Sequence, residues 1–161
     1  RGETVIMSGR PRAQVVYGDQ TGWEKVIAFA VHDYLSNQYD VELVLLDDFD
    51  IDVSKNDLSL LILIVSVLRF GRQLTSFASL FSRIDRISGQ HGPTSTKYIV
   101  FTIGGDTFPN LFPLAIKLDK ALSLLGYGHV ISLQSLRFNV NLSNAVSSAL
   151  QILRESLPAR I

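Results

Sequence analysis

Residues 15–23 read Val15-Val16-Tyr17-Gly18-Asp19-Gln20-Thr21-Gly22-Trp23, three apolar residues followed by a short polar loop with two glycines. A helical pattern, Glu24 to Leu35, begins immediately afterwards. A strand, a tight turn and a helix N-terminus in this order build the phosphate cradle of a doubly wound α/β sheet. The stretch therefore predicts an α/β fold with this loop at the ligand-binding edge of the sheet.

The rest of the chain alternates between strand and helix patterns. Leu60 to Ser66 is an apolar run without alternation, which indicates a central parallel strand covered on both faces. The other predicted strands are Ala13–Tyr17, Val41–Leu46, Lys97–Ile103 and His129–Leu133, and the later helices are Phe77–Ile87, Phe112–Leu125 and Leu142–Leu153. Right-handed crossovers between such elements give a three-layer sandwich.

Composition indicates one domain and excludes several classes of function. The chain has 161 residues, 47% of them hydrophobic, which suits one core; we expect a tail or linker over residues 1–12 and a single domain over residues 13–158. With a formal net charge of zero, no overall electrostatic field indicates a nucleic-acid or anionic-membrane partner, so partners must be inferred from local features. The absence of cysteine excludes disulfides and thiol chemistry. No apolar run is long enough for a membrane span, so we expect a soluble protein of the cytoplasm or an organellar matrix.

The passage from Tyr98 to Gly126 carries the clearest resemblance to a known family. It contains Val100-Phe101-Thr102-Ile103-Gly104-Gly105-Asp106-Thr107-Phe108-Pro109-Asn110, Lys117-Leu118-Asp119-Lys120 and Leu124-Leu125-Gly126. From about Ala13 to Leu153 the chain resembles the flavodoxin-like, FMN-binding domain of NADPH-dependent diflavin reductases. The resemblance implies a flavodoxin-like sandwich, with a parallel five-stranded sheet in the order 2-1-3-4-5 and helices on both faces. It also implies an FMN site built from three loops.

The first of these loops lacks donors that the family uses to hold the FMN phosphate. The family pattern is a hydroxyl residue, any residue, Thr, Gly, then Thr or Asn. Gln20, Thr21 and Gly22 fit it, but Asp19 and Trp23 replace the two flanking donors. An ionised carboxylate only accepts hydrogen bonds, and it repels a phosphate at about 4 Å by a few kcal/mol. We expect weakened phosphate binding, with the helix amides left for a weaker anion or for Asp19 as an N-cap.

The second loop, which packs beside the flavin ring in the family, is changed more deeply. It aligns with Ser66-Val67-Leu68-Arg69-Phe70-Gly71-Arg72-Gln73-Leu74, where only Ser66 and Gly71 match. Arg69 replaces a glycine, and a non-glycine residue at positive φ is strained. Arg69 and Arg72, which flank Phe70, also suggest contact with an acidic partner or a nucleic-acid backbone, although solvated arginines are commoner on loops.

The third loop is the best preserved. Phe108 stands where the family has the aromatic residue that stacks on the flavin, and either stacking or packing into a vacated pocket suits it. If FMN binds, the matching residues predict its contacts as Gln20, Thr21, Gly22, Ser66, Gly71, Gly104, Gly105 and Phe108. The second and third loops also predict an apolar interaction surface that includes Arg69, Phe70, Arg72 and Leu111.

Other catalytic patterns are weak. The three histidines lack metal-ligand spacing, and the aspartates from Asp47 to Asp52 lack the glycine and distal glutamate of a calcium loop. Ser66, Asp106 and His129 suggest a hydrolase triad near one sheet edge, but no Gly-x-Ser-x-Gly elbow surrounds Ser66. We expect neither a metal site nor catalytic residues.

Taken together, these patterns favour a degenerate flavodoxin-like domain without tightly bound FMN. It would act as a structural or protein-interaction module beside a protein partner or a neighbouring reductase domain. The alternative is an FMN-binding electron-transfer domain of a diflavin-reductase-type flavoprotein.

Overall fold

The computed structural model of this chain describes residues 9–19, 21–51, 58–66, 72–87, 94–104, 112–131, 134–137 and 141–157. Strands and helices alternate along most of these residues, as predicted. The strands are β1 (Arg12–Tyr17), β2 (Asp40–Leu45), β3 (Leu60–Ser66), β4 (Lys97–Gly104), β5 (Gly128–His129) and β6 (Gln134–Arg137). The helices are α1 (Trp23–Leu35), α2 (Arg72–Ile87), α3 (Phe112–Leu124) and α4 (Leu142–Ser156).

The strands form one parallel sheet in the order β2-β1-β3-β4-β5, which confirms the predicted strand order. The fifth position differs from the prediction because two short strands share it. β5 pairs with the start of β4, at Lys97 and Tyr98, and β6 pairs with its end, from Phe101 to Gly104. The predicted strand His129–Leu133 is therefore wrong in its bounds: β4 is long enough to pair with both pieces.

Helices cover both faces of the sheet, and each face has its own core. Leu61, Leu63 and Val65 of β3 point to the face of α2 and α3, while Leu60, Ile62 and Ile64 point to the face of α1 and α4. Every residue of β3 is buried. The unbroken apolar run of this strand thus reflects contact with helices on both sides.

Helix α2 begins earlier than the sequence indicated. The predicted start was Phe77, but the helix starts at Arg72. Arginine, glutamine and leucine are good helix formers, so local preference decides this boundary. Arg72 is a helical residue, which corrects its prediction as a loop residue.

Smaller features follow the sequence closely. Gly126 follows α3 with φ of 98°, a left-handed conformation that ends the helix as predicted. One boundary differs: Arg12 opens β1 instead of closing the predicted tail, and Arg10 pairs with Asp40 at 3.1 Å.

The described residues carry no feature of a membrane-spanning helix or of a metal centre. No helix there is long and apolar enough to cross a membrane. The same residues contain no group of three acidic or histidine side chains placed to hold a metal ion. Asp47 and Asp48 lie in a short turn of 3₁₀-helix, and both are exposed.

Candidate functional site at the carboxyl edge of the sheet

The carboxyl ends of β1, β3 and β4 lie side by side, where a parallel α/β sheet binds its ligands. The loop between β1 and α1 is the first along the chain to start at this edge. The amide of Gly18 donates a hydrogen bond to the carbonyl of Ile64 on β3, at 3.0 Å. This bond ties the start of the loop to the centre of the sheet.

Gly22 places the helix N-terminus. It has φ of 86° and directly precedes α1, and it makes no side-chain cap. A side chain at this φ is strained, although the space around the position is open. The glycine is therefore needed for its backbone conformation rather than for room.

The main feature of the loop is Glu24, whose carboxylate turns back towards the residues that precede the helix. Its Oε1 accepts a hydrogen bond from the backbone N–H of Thr21 at 3.0 Å and another from the Thr21 hydroxyl at 2.8 Å. The hydroxyl oxygen in turn accepts from the backbone N–H of Trp23 at 3.2 Å. Glu24 is completely buried. The helix N-terminus thus holds an anion that belongs to the chain itself.

Glu24 was not among the predicted site residues, although the sequence contains a signal for its role. Thr21-Gly22-Trp23-Glu24 has the Thr-x-x-Glu spacing of a capping box, in which threonine and glutamate satisfy each other's orphan amides. The usual box has a helical residue after the threonine, whereas Gly22 is left-handed here. One half of the box is formed, because the Thr21 amide donates to the Glu24 carboxylate, whereas the Thr21 hydroxyl oxygen accepts from the Trp23 amide.

Asp19 and Trp23, the two substitutions noted in the sequence, lie on either side of this arrangement. Asp19 is exposed. Trp23 is half-buried, and its side chain packs against the core beneath α1 and α4. The bulky ring therefore contributes to packing of the domain.

Ser66 ends β3 at the same edge and is fully buried. Its Oγ has no hydrogen-bond partner in the part of the chain described. A hydrolase triad with His129 is not formed. Ser66 pairs with Ile103 near the end of β4, whereas His129 pairs with Tyr98 near its start. Ile103 and Tyr98 are five residues apart along β4, which corresponds to a distance of about 16 Å along the strand.

The structure describes only part of the predicted site. Thr21, Gly22 and Ser66 lie at one edge of the sheet, and Gly104 ends β4 there, opposite Arg137 of β6. The remaining FMN contacts predicted from the sequence lie outside the described residues: Gln20, Gly71, Gly105 and Phe108. The same holds for Arg69, Phe70 and Leu111 of the predicted interaction surface, while Arg72 is described only as the first residue of α2.

The first loop, as folded, does not fit an FMN phosphate. The two donors of Thr21 point at a carboxylate, and a phosphate beside it would meet like charge in a partly desolvated place. A phosphate would have to displace Glu24 to reach those donors. The Thr21 donors of this loop are therefore occupied by an anion of the chain itself.

The sheet order, the helices on both faces and the loop at the carboxyl edge together define a flavodoxin-like α/β fold. Oxidised flavodoxin 1 from Bacillus cereus is similar, with a TM-score of 0.68 and 13% identity over 89% of this chain and 97% of that one. Oxidised flavodoxin 2 from Bacillus cereus has a TM-score of 0.66 and 17% identity over 89% of this chain and 99% of that one.

A third similar structure is a short-chain flavodoxin associated with a non-canonical PDU bacterial microcompartment. It has a TM-score of 0.63 and 17% identity over 91% of this chain and 99% of that one. At such identities the likeness shows the fold alone. No protein-family model matches the sequence, and no curated protein matches it significantly.

Proposed function

We propose that this chain is a flavodoxin-like domain that does not hold FMN tightly and that acts as a structural or protein-interaction module. The observation that carries the proposal is the buried carboxylate of Glu24, which accepts both hydrogen bonds that Thr21 could offer to a phosphate. Asp19 adds a second acidic residue to the same loop. The donors of Thr21 are thus already used within the chain, by Glu24.

Electrostatics and packing both support this use of the loop. A buried carboxylate at a helix N-terminus is stabilised by the helix dipole. Exchanging it for a phosphate would expose or strand the carboxylate of Glu24, and either change costs energy. Trp23 packs into the core next to the loop, so the substitutions form one arrangement that stabilises the domain.

The test is a titration of the purified chain with FMN, followed by quenching of flavin fluorescence. We expect no saturable quenching up to FMN concentrations on the order of tens of micromolar, which corresponds to less than about 7 kcal/mol of binding free energy. Saturation at submicromolar FMN would overturn the proposal.

The second candidate is an FMN-binding electron-transfer domain of the diflavin-reductase type. The flavodoxin-like fold and the left-handed Gly22 favour it. In that case the cofactor contacts would be those predicted from the sequence, with Ser66 at the edge of the crevice. FMN would supply one-electron chemistry when bound, and the chain would hold its phosphate and ring.

Three substitutions distinguish a decayed site from one rebuilt for another purpose. The triple variant Asp19→Ser, Trp23→Thr and Glu24→Ala removes both acids and restores two hydroxyl donors in the first loop. Measurable FMN affinity in this variant alone would mean that only the first loop blocks binding. Continued failure, with a native circular dichroism spectrum, would assign the block to the second loop and Arg69 as well.

The interaction surface predicted from the sequence belongs to this proposal. It comprises Arg69, Phe70, Arg72 and Leu111, which in the sequence precede or begin the helices α2 and α3. The double variant Phe70→Ser and Arg72→Glu should release a bound partner without unfolding the domain. Unchanged binding of an isolated partner to that variant would count against this surface.

A further inference from the structure

A second surface lies elsewhere on the domain, in a groove between α2 and α3 on the outside of the sandwich. The groove has a volume of about 520 Å³. Its floor and walls are largely apolar, and they are formed by Phe81, Ile84, Asp85, Ile116, Lys117, Lys120, Ala121 and Leu124. These residues come from the later half of α2 and the length of α3, away from the loop that contains Glu24.

The α3 wall of the groove carries an exposed apolar stripe. Ile116 is 44% exposed and Leu124 is 80% exposed. Ile116, Lys120 and Leu124 follow one another at intervals of four residues, so they lie on one face of the helix. Single exposed apolar residues are ordinary on a surface. Leu124, however, protrudes beside a groove that is itself largely apolar, so this surface combines an exposed apolar side chain with an apolar recess.

The two walls of the groove carry opposite charges. Asp85 lies on α2, whereas Lys117 and Lys120 lie on α3. The Lys117 ammonium lies 4.6 Å from the centre of the Phe81 ring, a cation–π contact within the groove. Asp85 and Lys120 make no ion pair with the described residues. The groove thus has one acidic side chain on its α2 wall and two lysines on its α3 wall.

A surface with opposite charges on opposite walls is complementary to itself. A two-fold axis that runs along the groove places α2 of one copy opposite α3 of the other. In that arrangement Asp85 of each copy faces Lys120 of the other, and Leu124 of each copy packs towards the other's apolar floor. Such an isologous contact uses every feature of the groove twice.

We propose that the groove between α2 and α3 is the interface of a homodimer. This goes beyond the function proposed above, because it concerns a different surface and stands whether or not the first loop binds FMN. A partner of a single charge sign would leave one wall facing like charge, whereas a second copy matches both walls.

Sedimentation velocity on the purified chain tests the proposal. We expect the mass to rise from the 17.9 kDa of one chain towards twice that value between about 1 µM and about 200 µM protein, which brackets a micromolar dissociation constant. A monomer over the whole range would overturn the proposal and leave the groove to a different partner.

Charge reversal identifies the surface. Lys120→Glu and Asp85→Lys should each weaken dimerisation by about tenfold or more, because each places like charges together twice in the dimer. An equimolar mixture of the two variants should dimerise as well as the wild type, since every contact is again between opposite charges. If each variant alone dimerises more weakly than the wild type and the mixture does not recover wild-type dimerisation, the proposed pairing is refuted.

An apolar substitution and its matched control complete the experiment. Leu124→Ser should weaken the dimer, whereas Val26→Ser, at a residue 46% exposed on α1 across the sheet, should not. Both positions are exposed, so both variants should keep the native circular dichroism spectrum. Equal effects of the two substitutions would mean that the dimer does not use the groove.

Discussion

Removing the carboxylate of Glu24 should free the amide and the hydroxyl of Thr21 to bind an external anion. In Glu24→Ala, the Thr21 amide and hydroxyl lose the acceptor that they contact at 3.0 and 2.8 Å. Hydrogen bonds to a charged group contribute about 1.5–3 kcal/mol each. The variant no longer has to bury a carboxylate, and this offsets part of the stability lost with the two hydrogen bonds. Water can also replace the lost acceptor, because Thr21 is only half-buried. We expect a net loss of about 2 kcal/mol in the free energy of unfolding.

The same variant should respond to inorganic phosphate. If the freed donors bind phosphate with a dissociation constant of about 1 mM, then about 100 mM phosphate stabilises the folded state by about 2.7 kcal/mol. Phosphate should therefore restore most of the stability lost in Glu24→Ala. Urea denaturation, followed by circular dichroism in phosphate and in chloride of equal ionic strength, measures the change.

The control separates binding from a general salt effect. Phosphate stabilises most folded proteins by exclusion from their surface, so the relevant quantity is the extra stabilisation of Glu24→Ala over the wild type. Glu155→Ala, at an exposed glutamate of α4, should show no extra stabilisation. If phosphate stabilises Glu24→Ala no more than the wild type, the reasoning that Glu24 occupies an anion cradle is refuted.

Three further predictions concern the stability of the domain, each measured by urea denaturation. Gly22→Ala should cost about 1–2 kcal/mol from backbone strain at φ of 86°, and Gly22→Asn should cost less, because asparagine tolerates that conformation better; equal losses would contradict the strain argument. Ser66→Ala should raise stability by about 1 kcal/mol, since it removes a buried hydroxyl without a partner in the described residues; a loss would reveal an unseen partner. Tyr98→Phe should lower stability by about 1–2 kcal/mol at neutral pH, because the Tyr98 hydroxyl donates to Asp119 at 2.9 Å. Burial, then the hydrogen bond and the charge of Asp119, raise the pKa of Tyr98 above its ordinary value of 10.0. The stability that the Tyr98 hydroxyl contributes is therefore complete below about pH 10 and declines as the pH rises further. A stability difference between wild type and Tyr98→Phe that grows above about pH 10 would contradict this assignment.

Much of the fold was predictable because its signals are local. β3 is an apolar run without alternation, and it lies in the centre of the sheet with helices on both faces. Gly126 follows the predicted helix and ends it. The strand order followed from a family resemblance in the loops rather than from these patterns. Similar structures with 13–17% identity then confirmed the fold, so the architecture persists where most side chains have changed.

The candidate site was predictable only in outline. The polar loop after β1 and its two changed donors could be found by inspection, but the direction of the Glu24 side chain could not. That direction depends on the left-handed Gly22 and on a helix packed closely enough against β1 and β3 to exclude water. The groove between α2 and α3 was likewise hidden, since Asp85 and Lys120 are 35 positions apart in the numbering of the chain.

The sequence by itself determined the fold class, the order of the elements and the place of the ligand-binding edge, because hydrophobic periodicity and turn residues act over a few neighbouring positions. Only the tertiary structure decided that Glu24 closes the loop, that two short strands share the fifth position, and that opposite charges face each other across a groove. Those features arise where separate segments meet, and burial, hydrogen bonding and charge at such contacts depend on the packed structure as a whole.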